Sequence, residues 1–281
     1  MKRLTGILCA SALLATATLA SCGNSKEVIS VCASDVPHAE ILNGIVKEKL
    51  AEKGYDLKVS VLDWTAQNDA VAQGDYDANY FQHVPYLSTY TGSTELTATC
   101  KVHYEPLGIY QGKAGATLAS AKTIEICDDD SNAVRAFQLL QAKGVLTEIP
   151  VSEDEKLTFE GKVWNSSNGI TVTLIAENLL VSSKGDYDLA CLPCNTALTG
   201  NVSADTRLAV EDDPLQVSLK ANVLAVRKND YLNNSSYKAK IDALTDILLS
   251  NDVSSYVKTR YNGVITCDSS SSQIDLRSQI N

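Results

Sequence analysis

Gly74-Asp-Tyr-Asp-Ala-Asn-Tyr-Phe-Gln-His-Val-Pro-Tyr-Leu87 is the stretch that decides the fold. Gly74 and Asp75 end a helix-like run, 76–80 reads as a short strand, and 81–87 begins the next element. Asn79, Gln82 and His83 therefore sit just after a buried strand, and open α/β sheets present ligand sites at the carboxyl edges of their strands. A second copy, Gly185-Asp-Tyr-Asp-Leu-Ala-Cys-Leu-Pro-Cys-Asn-Thr-Ala-Leu198, lies 111 residues downstream. Each copy opens with Gly-Asp-Tyr-Asp, passes through apolar or small residues, and presents an Asn soon after. Two such units predict two similar lobes, each offering a strand-end loop to one shared cleft.

The surrounding chain has the order of a parallel sheet. A strand at 28–33 precedes a helix at 37–52, whose Ile41, Leu42, Ile45, Val46 and Leu50 are spaced for one face. A strand at 57–62, a loop at 63–68 and a short helix at 69–73 lead into the opening stretch. Residues 88–98 are expected to be partly helical. Downstream, a strand at 122–127 is followed by the acidic cap Asp128-Asp-Asp-Ser-Asn132 and a helix at 133–143. A strand within 157–164, a helix at 171–181 and a strand at 187–192 complete this half. A strand at 221–226 returns to the first lobe and is followed by helices at 236–249 and 253–261. The expected division is lobe 1 from 28–108 and 221–268, lobe 2 from 109–220, and a Ser-rich flexible tail at 269–281.

The N-terminus speaks to location. Met1-Lys-Arg is positively charged, and the apolar run 4–19 is too short and too rich in Ala and Thr for a membrane span. It ends in Leu19-Ala-Ser-Cys22-Gly23, the lipobox of bacterial lipoproteins. Residues 1–21 are thus expected to leave as a signal peptide, Cys22 to carry the lipid, and 22–27 to form a tether. Acyl chains on Cys22 would hold the protein on the extracytoplasmic face of the bacterial cell membrane. The formal charge of −10 becomes −12 once Lys2 and Arg3 are removed, which argues against nucleic acid as a partner. Cys32, Cys100, Cys127, Cys191, Cys194 and Cys267 remain in the mature chain. An exported protein permits disulfides, but several of these cysteines sit in apolar runs that equally suit buried thiols.

No nucleophile motif, Gly-rich phosphate loop or zinc-peptidase motif occurs, so the chain does not read as an enzyme and needs no cofactor. Cys191-x-x-Cys194 keeps one alternative of another class open, a metal-binding or thiol–disulfide protein. No metal site is otherwise expected. Arg135 is the sharper feature. It shares a helix face with Asn132 one turn inside the helix, and backbone N–H groups, an amide and a guanidinium together make a corner for a carboxylate. Pairing of Arg135 with the Asp128–Asp130 cap is the competing reading.

Asp77-Ala-Asn-Tyr-Phe-Gln-His83, Val102-His-Tyr-Glu-Pro-Leu-Gly-Ile-Tyr110, Asn132-x-x-Arg135-Ala136 and Tyr261-Asn-Gly-Val264 together resemble the NlpA family of methionine-binding lipoproteins. The resemblance implies a periplasmic-binding-protein fold, two α/β lobes around a ligand cleft joined by two crossovers. It also implies a monomeric receptor that delivers an amino acid, methionine first, to an ABC transporter permease; another amino acid or a short peptide is the alternative. It places Tyr80, Phe81, Gln82 and His83 in the pocket wall and Tyr104 near the cleft. Asn132 and Arg135 fall on the carboxylate, and Asn195 comes from the second unit. Where the family shows Asn-Gly-Asn-Tyr-Ala, this chain has Pro193-Cys-Asn-Thr-Ala197. Thr196 thus brings a hydroxyl where the family has a ring, which tilts the pocket toward a bulkier or more polar side chain.

Overall fold

A computed structural model describes residues 26–212, 214–261 and 264–281, without the side chains of 214–216. The signal peptide, Cys22 and most of the tether lie outside these residues, as do Asn262 and Gly263 of the last family block.

β1 (Glu27–Ala33) leads through a turn at Asp35–Ala39 and a kinked segment at Leu42–Val46 into α1 (Lys47–Glu52). The expected helix is broken at Gly44, where the ring of Tyr256 packs so closely that a Cβ would meet its hydroxyl at 2.8 Å. β2 (Tyr55–Val61), α2 (Trp64–Gln73), β3 (Ala78–His83), α3 (Val84–Leu87) and β4 (Leu96–His103) follow. The loop expected at 63–68 is instead the start of α2, because Asp63 caps it by accepting from the Thr65 N–H at 3.0 Å. Residues 88–95 form no helix.

The chain then crosses to the other lobe: β5 (Leu107–Gln111), β6 (Thr123–Cys127), α4 (Asp130–Ala142), β7 (Val163–Asn165), β8 (Thr171–Ile175), α5 (Leu180–Ser183), β9 (Leu189–Pro193), α6 (Cys194–Thr199), β10 (Arg207–Val210) and α7 (Pro214–Leu219). Residues 171–175, expected as helix, are a strand. Thr171-Val-Thr-Leu-Ile175 alternates half-buried and buried positions and is rich in β-branched residues, which suits a pleated surface rather than a helix. The chain returns as β11 (Asn222–Arg227), α8 (Lys228–Asn233), α9 (Ser235–Leu248), α10 (Asn251–Arg260) and β12 (Ile274–Asp275).

Two six-stranded sheets result, ordered β12-β4-β11-β3-β1-β2 and β10-β5-β9-β6-β8-β7. They match in strand order and direction over five strands, and each adds one edge strand of its own, β12 and β7. β1 runs parallel to β2 and β3 as β6 does to β8 and β9, and an antiparallel strand then meets β3 (β11) and β9 (β5). The duplicated Gly-Asp-Tyr-Asp has a physical basis here. Asp77 accepts from the Ser30 N–H at 2.8 Å, and Asp188 accepts from the N–H groups of Lys122 and Thr123 at 2.8 and 3.0 Å. In each lobe the second Asp of the motif ties the strand it leads into to the adjacent parallel strand.

The crossings occur at 104–106 and 211–221, so Leu107 and Gly108 already belong to the second sheet. Each lobe has its own apolar core, one around Ile29, Tyr80, Leu224 and Ile241 and one around Ile109, Ile126, Phe137 and Leu140. The tail expected to be flexible is docked. β12 pairs with β4, Gln273 donates to the carbonyl of Leu248 at the end of α9, and Arg277 bridges Asp275 and Asp246. Its serines accommodate a tight turn about Asp268, which accepts from Ser270 and Ser271.

Candidate functional site

The cleft lies between the carboxyl edges of the two sheets. Lobe 1 lines it with Trp64, Phe81, Gln82, His83 and Tyr86, the crossovers with Glu105 and Asn222, and lobe 2 with Asn132, Arg135, Pro193 and Asn195. Three consecutive residues of β3 can line it because the register with β11 shifts at Phe81. Val223 faces Gln82 but Leu224 faces Tyr80, a bulge that re-aims the strand end.

The polar groups are held by specific partners. The Gln82 amide exchanges bonds with Asn68 (3.0 and 2.6 Å) and donates to Asn79 at 2.9 Å, a buried amide cluster behind the cleft wall. His83 accepts from the Tyr86 N–H through Nδ1 at 3.1 Å, which leaves a proton on Nε2 to face Asn132 Oδ1 of the other lobe at 3.4 Å. Burial, with Arg135 nearby, lowers the His83 pKa to about 3, so the ring is neutral. Asn132 is oriented by Asp129, the α4 cap, which accepts from its N–H and its side-chain amide at 2.9 and 3.0 Å.

Arg135 does not pair with Asp128–Asp130. Its Nε donates to Glu211 Oε1 at 2.6 Å, and its Nη2 donates to Glu211 Oε2 and, at 2.6 Å, to the carbonyl of Glu105. Glu211 also accepts from Tyr104 at 2.6 Å and from the Leu107 N–H at 2.9 Å. Burial opposes its charge, but Arg135 and these donors outweigh burial and lower its pKa. None of these bonds uses Arg135 Nη1.

Glu105 anchors the first crossover. Its Oε2 accepts from the Asn195 N–H of lobe 2 at 3.0 Å, and its Oε1 accepts from His103 Nε2 at 2.6 Å. His103 Nδ1 in turn accepts from the Tyr80 hydroxyl. His38 Nε2 lies 3.2 Å from the same Glu105 oxygen without the alignment of a hydrogen bond. Burial lowers the pKa of His38 to about 4 and of His103 to about 3, and raises that of Glu105. His38, His103 and Glu105 are the one group among the described residues close enough to share a metal ion. The His103–Glu105 distance is that of a hydrogen-bonded pair, and through the Asn195 N–H that pair anchors the first crossover to lobe 2, with His38 packed beside it.

Of the eight ligand-binding residues expected from sequence, six line the cleft: Phe81, Gln82, His83, Asn132, Arg135 and Asn195. Tyr80 is wholly buried in the lobe 1 core, pointing away from the cleft toward His103. Tyr104 stands behind the site, its ring 5.6 Å from the Arg135 guanidinium and its hydroxyl on Glu211. Trp64, Tyr86, Glu105 and Asn222 were missed. Tyr86 and Glu105 lie inside the quoted motif blocks. Trp64 was hidden in an apparent loop, and Asn222 in an apolar strand.

The NlpA lipoprotein family profile matches residues 29–266. The chain belongs to the NlpA lipoprotein family. Members are lipid-anchored, extracytoplasmic solute-binding components of bacterial ABC importers and perform no catalysis, and this chain is one of them. It is similar to the methionine-binding lipoprotein MetQ of Bacillus subtilis (strain 168), 30% identical over 94% of this chain and 98% of that one. Among solved structures it resembles a lipoprotein from Ruminococcus gnavus, with TM-score 0.76, 30% identity, and 86% and 99% of the two chains covered. A nutrient-binding protein from Burkholderia cenocepacia bound to methionine shares the fold, with TM-score 0.74, 24% identity, and 85% and 99% covered.

The thiol alternative fares poorly. Cys191 packs into the lobe 2 core and Cys194 against the lobe 1 core, so the two side chains of the Cys-x-x-Cys point apart. Burial pushes the Cys194 thiol up to about 12 and the Cys191 thiol higher still, the reverse of a reactive thiolate.

Proposed function

We propose that the cleft of this lipoprotein binds one small zwitterionic amino acid and that the permease receives it from there. Methionine is the first candidate, because the Bacillus subtilis relative is named for it. The supporting observation is the pairing of opposite chemistries in one buried cleft. Arg135 Nη1 and Asn132, beside the first turn of α4, suit a carboxylate, and Glu105 with Asn195 and Asn222 suits an ammonium. Phe81, Tyr86 and Trp64 supply the apolar wall between them. Mass spectrometry of solute released by denaturing the purified protein tests this. Recovery of an amino acid is the expected result, and recovery of a sugar, a metal ion or a nucleotide would replace it.

A further inference from the structure

Glu211 and Tyr104 stand behind the cleft and line no part of it. They nevertheless fix Arg135, the one arginine or lysine among the described residues that does line it. A guanidinium carries five N–H groups in one rigid plane. Arg135 uses three of them here: Nε donates to Glu211 Oε1, and Nη2 donates to both Glu211 Oε2 and the carbonyl of Glu105. The two N–H groups outside these bonds both belong to Nη1. Because the group is rigid, holding Nε and Nη2 also sets the direction of Nη1. Glu211 is itself held on three sides. Its carboxylate accepts from the Tyr104 hydroxyl at 2.6 Å and from the Leu107 N–H at 2.9 Å, and its own N–H donates to the Leu107 carbonyl at 3.0 Å. Leu107 opens β5, Glu211 follows β10 and Arg135 lies on α4, so these three ride together with lobe 2. No bond in the arrangement comes from α2, β3 or α3, the lobe 1 elements that line the cleft.

We propose that Glu211 is a positioning residue for solute recognition: it presets Arg135 Nη1 for the solute carboxylate before the lobes close, and Tyr104 holds Glu211 for that task. The proposal rests on the amino-acid reading above. A long arginine side chain that must be ordered at the moment of binding weakens the grip, and one ordered beforehand does not. The negative charge of Glu211 partly offsets that of Arg135. What Glu211 contributes to binding is therefore direction rather than charge, and an uncharged acceptor of the same shape serves nearly as well.

Calorimetric titration of the mature protein with methionine and with methioninol tests this. Methioninol keeps the side chain and the ammonium but has a hydroxymethyl group in place of the carboxylate. The parent protein is expected to bind methionine about a hundredfold tighter than methioninol, as a sheltered charge-assisted pair should give. In Glu211→Ala that ratio should fall to about threefold or less, with methioninol affinity nearly unchanged. Glu211→Gln restores an acceptor oxygen and should hold the ratio at about tenfold or more. Tyr104→Phe, which leaves the ion pair intact, should lower the ratio by about two- to fivefold. A purely structural role would weaken both ligands alike. A ratio in Glu211→Ala equal to that of the parent would therefore overturn the proposal and leave the amino-acid reading standing. If that variant does not fold, an unchanged ratio in Tyr104→Phe overturns it instead. A parent protein that binds the two ligands equally, or binds neither, would remove the amino-acid reading itself.

Discussion

Arg135 holds Glu211 and, on the reading proposed above, also the carboxylate of the solute, and its substitution must be read accordingly. The pair it makes with Glu211 is almost wholly buried, the two side chains being 4% and 8% exposed. Arg135→Ala therefore leaves a buried carboxylate without its partner, which typically costs about 3–5 kcal/mol of stability. We expect a clear drop in the urea midpoint, together with a loss of solute affinity of a hundredfold or more, about 3 kcal/mol. Glu211→Gln separates the two roles: it should weaken the fold but keep solute affinity within about tenfold of the parent, since Nη1 remains in place. Equal loss of affinity in both variants would show that Arg135 acts only through the fold. The histidines set the pH response. His38 at about 4, and His83 and His103 at about 3, are neutral in the fold but take a proton in the unfolded chain below about 6.5. Their depressed values contribute stability at neutral pH that is lost as pH falls from about 6.5 toward 4, at up to about 1.4 kcal/mol per pH unit for each group. Glu105 runs the other way, because burial raises it and its ionised form weighs against the fold at neutral pH. Urea midpoints should fall between pH 7 and pH 5, and less steeply in His83→Gln, which lies outside the Glu105 cluster. At this scale the sequence was informative where a motif carried the chemistry, as for His83, Asn132 and Arg135. It misled where alternation decided direction: Tyr80 sits beside Phe81 in the chain but faces the core, because only a cross-strand register reveals the bulge.

Among the elements, most boundaries were legible because caps and periodicity agree with packing. Asp129 caps α4, Asn234 caps α9, and Ser250 caps α10. Misreadings came where short segments fit two patterns. Residues 171–181 hold a strand followed by short helical turns, and their apolar residues at mixed spacing imitate one helix. The C-terminal tail looked flexible because serines dominate its composition, while its fit depends on distant partners: Leu276 N–H on the Thr99 carbonyl and Arg277 on Asp246 of α9. Ending the chain at Asp268 would uncover the edge of β4 and the last carbonyls of α9. We expect a loss of about 2 kcal/mol from those bonds, with faster amide exchange at β4, checked by denaturation and hydrogen exchange. The Gly-Asp-Tyr-Asp motif gives a matched test in both lobes. Asp188→Ala removes the acceptor of the Lys122 and Thr123 N–H groups, which water can partly replace at this half-exposed edge, at a cost of about 0.5–1.5 kcal/mol, with no effect expected on solute affinity.

For the molecule as a whole, two lobes and two crossings were readable from the repeated motif, whereas the bonds that join the lobes were not. His83 to Asn132 and Glu105 to the Asn195 N–H span the cleft and depend on both lobes being in place. The cleft between them retains about 30 Å³, room for a water molecule and not for an amino acid. Solute therefore enters when the lobes part, and small-angle scattering should show a smaller radius of gyration with solute than without. The six described cysteines are all buried and unpaired. A thiol reagent should find almost none in the native protein and six after unfolding. The order of strands in lobe 1 has one more consequence. β11 lies between β3 and β4, yet it follows them in the chain by more than a hundred residues. A polypeptide emerging from a secretion channel N-terminus first presents β3 and β4 with no strand between them. Lobe 2, continuous from Leu107 to Val210, has all six of its strands in hand by then. The second lobe can thus complete itself while the first still waits for its middle strand, and the arrival of β11 closes the hinge and fills the gap in the sheet before α9, α10 and β12 dock on it.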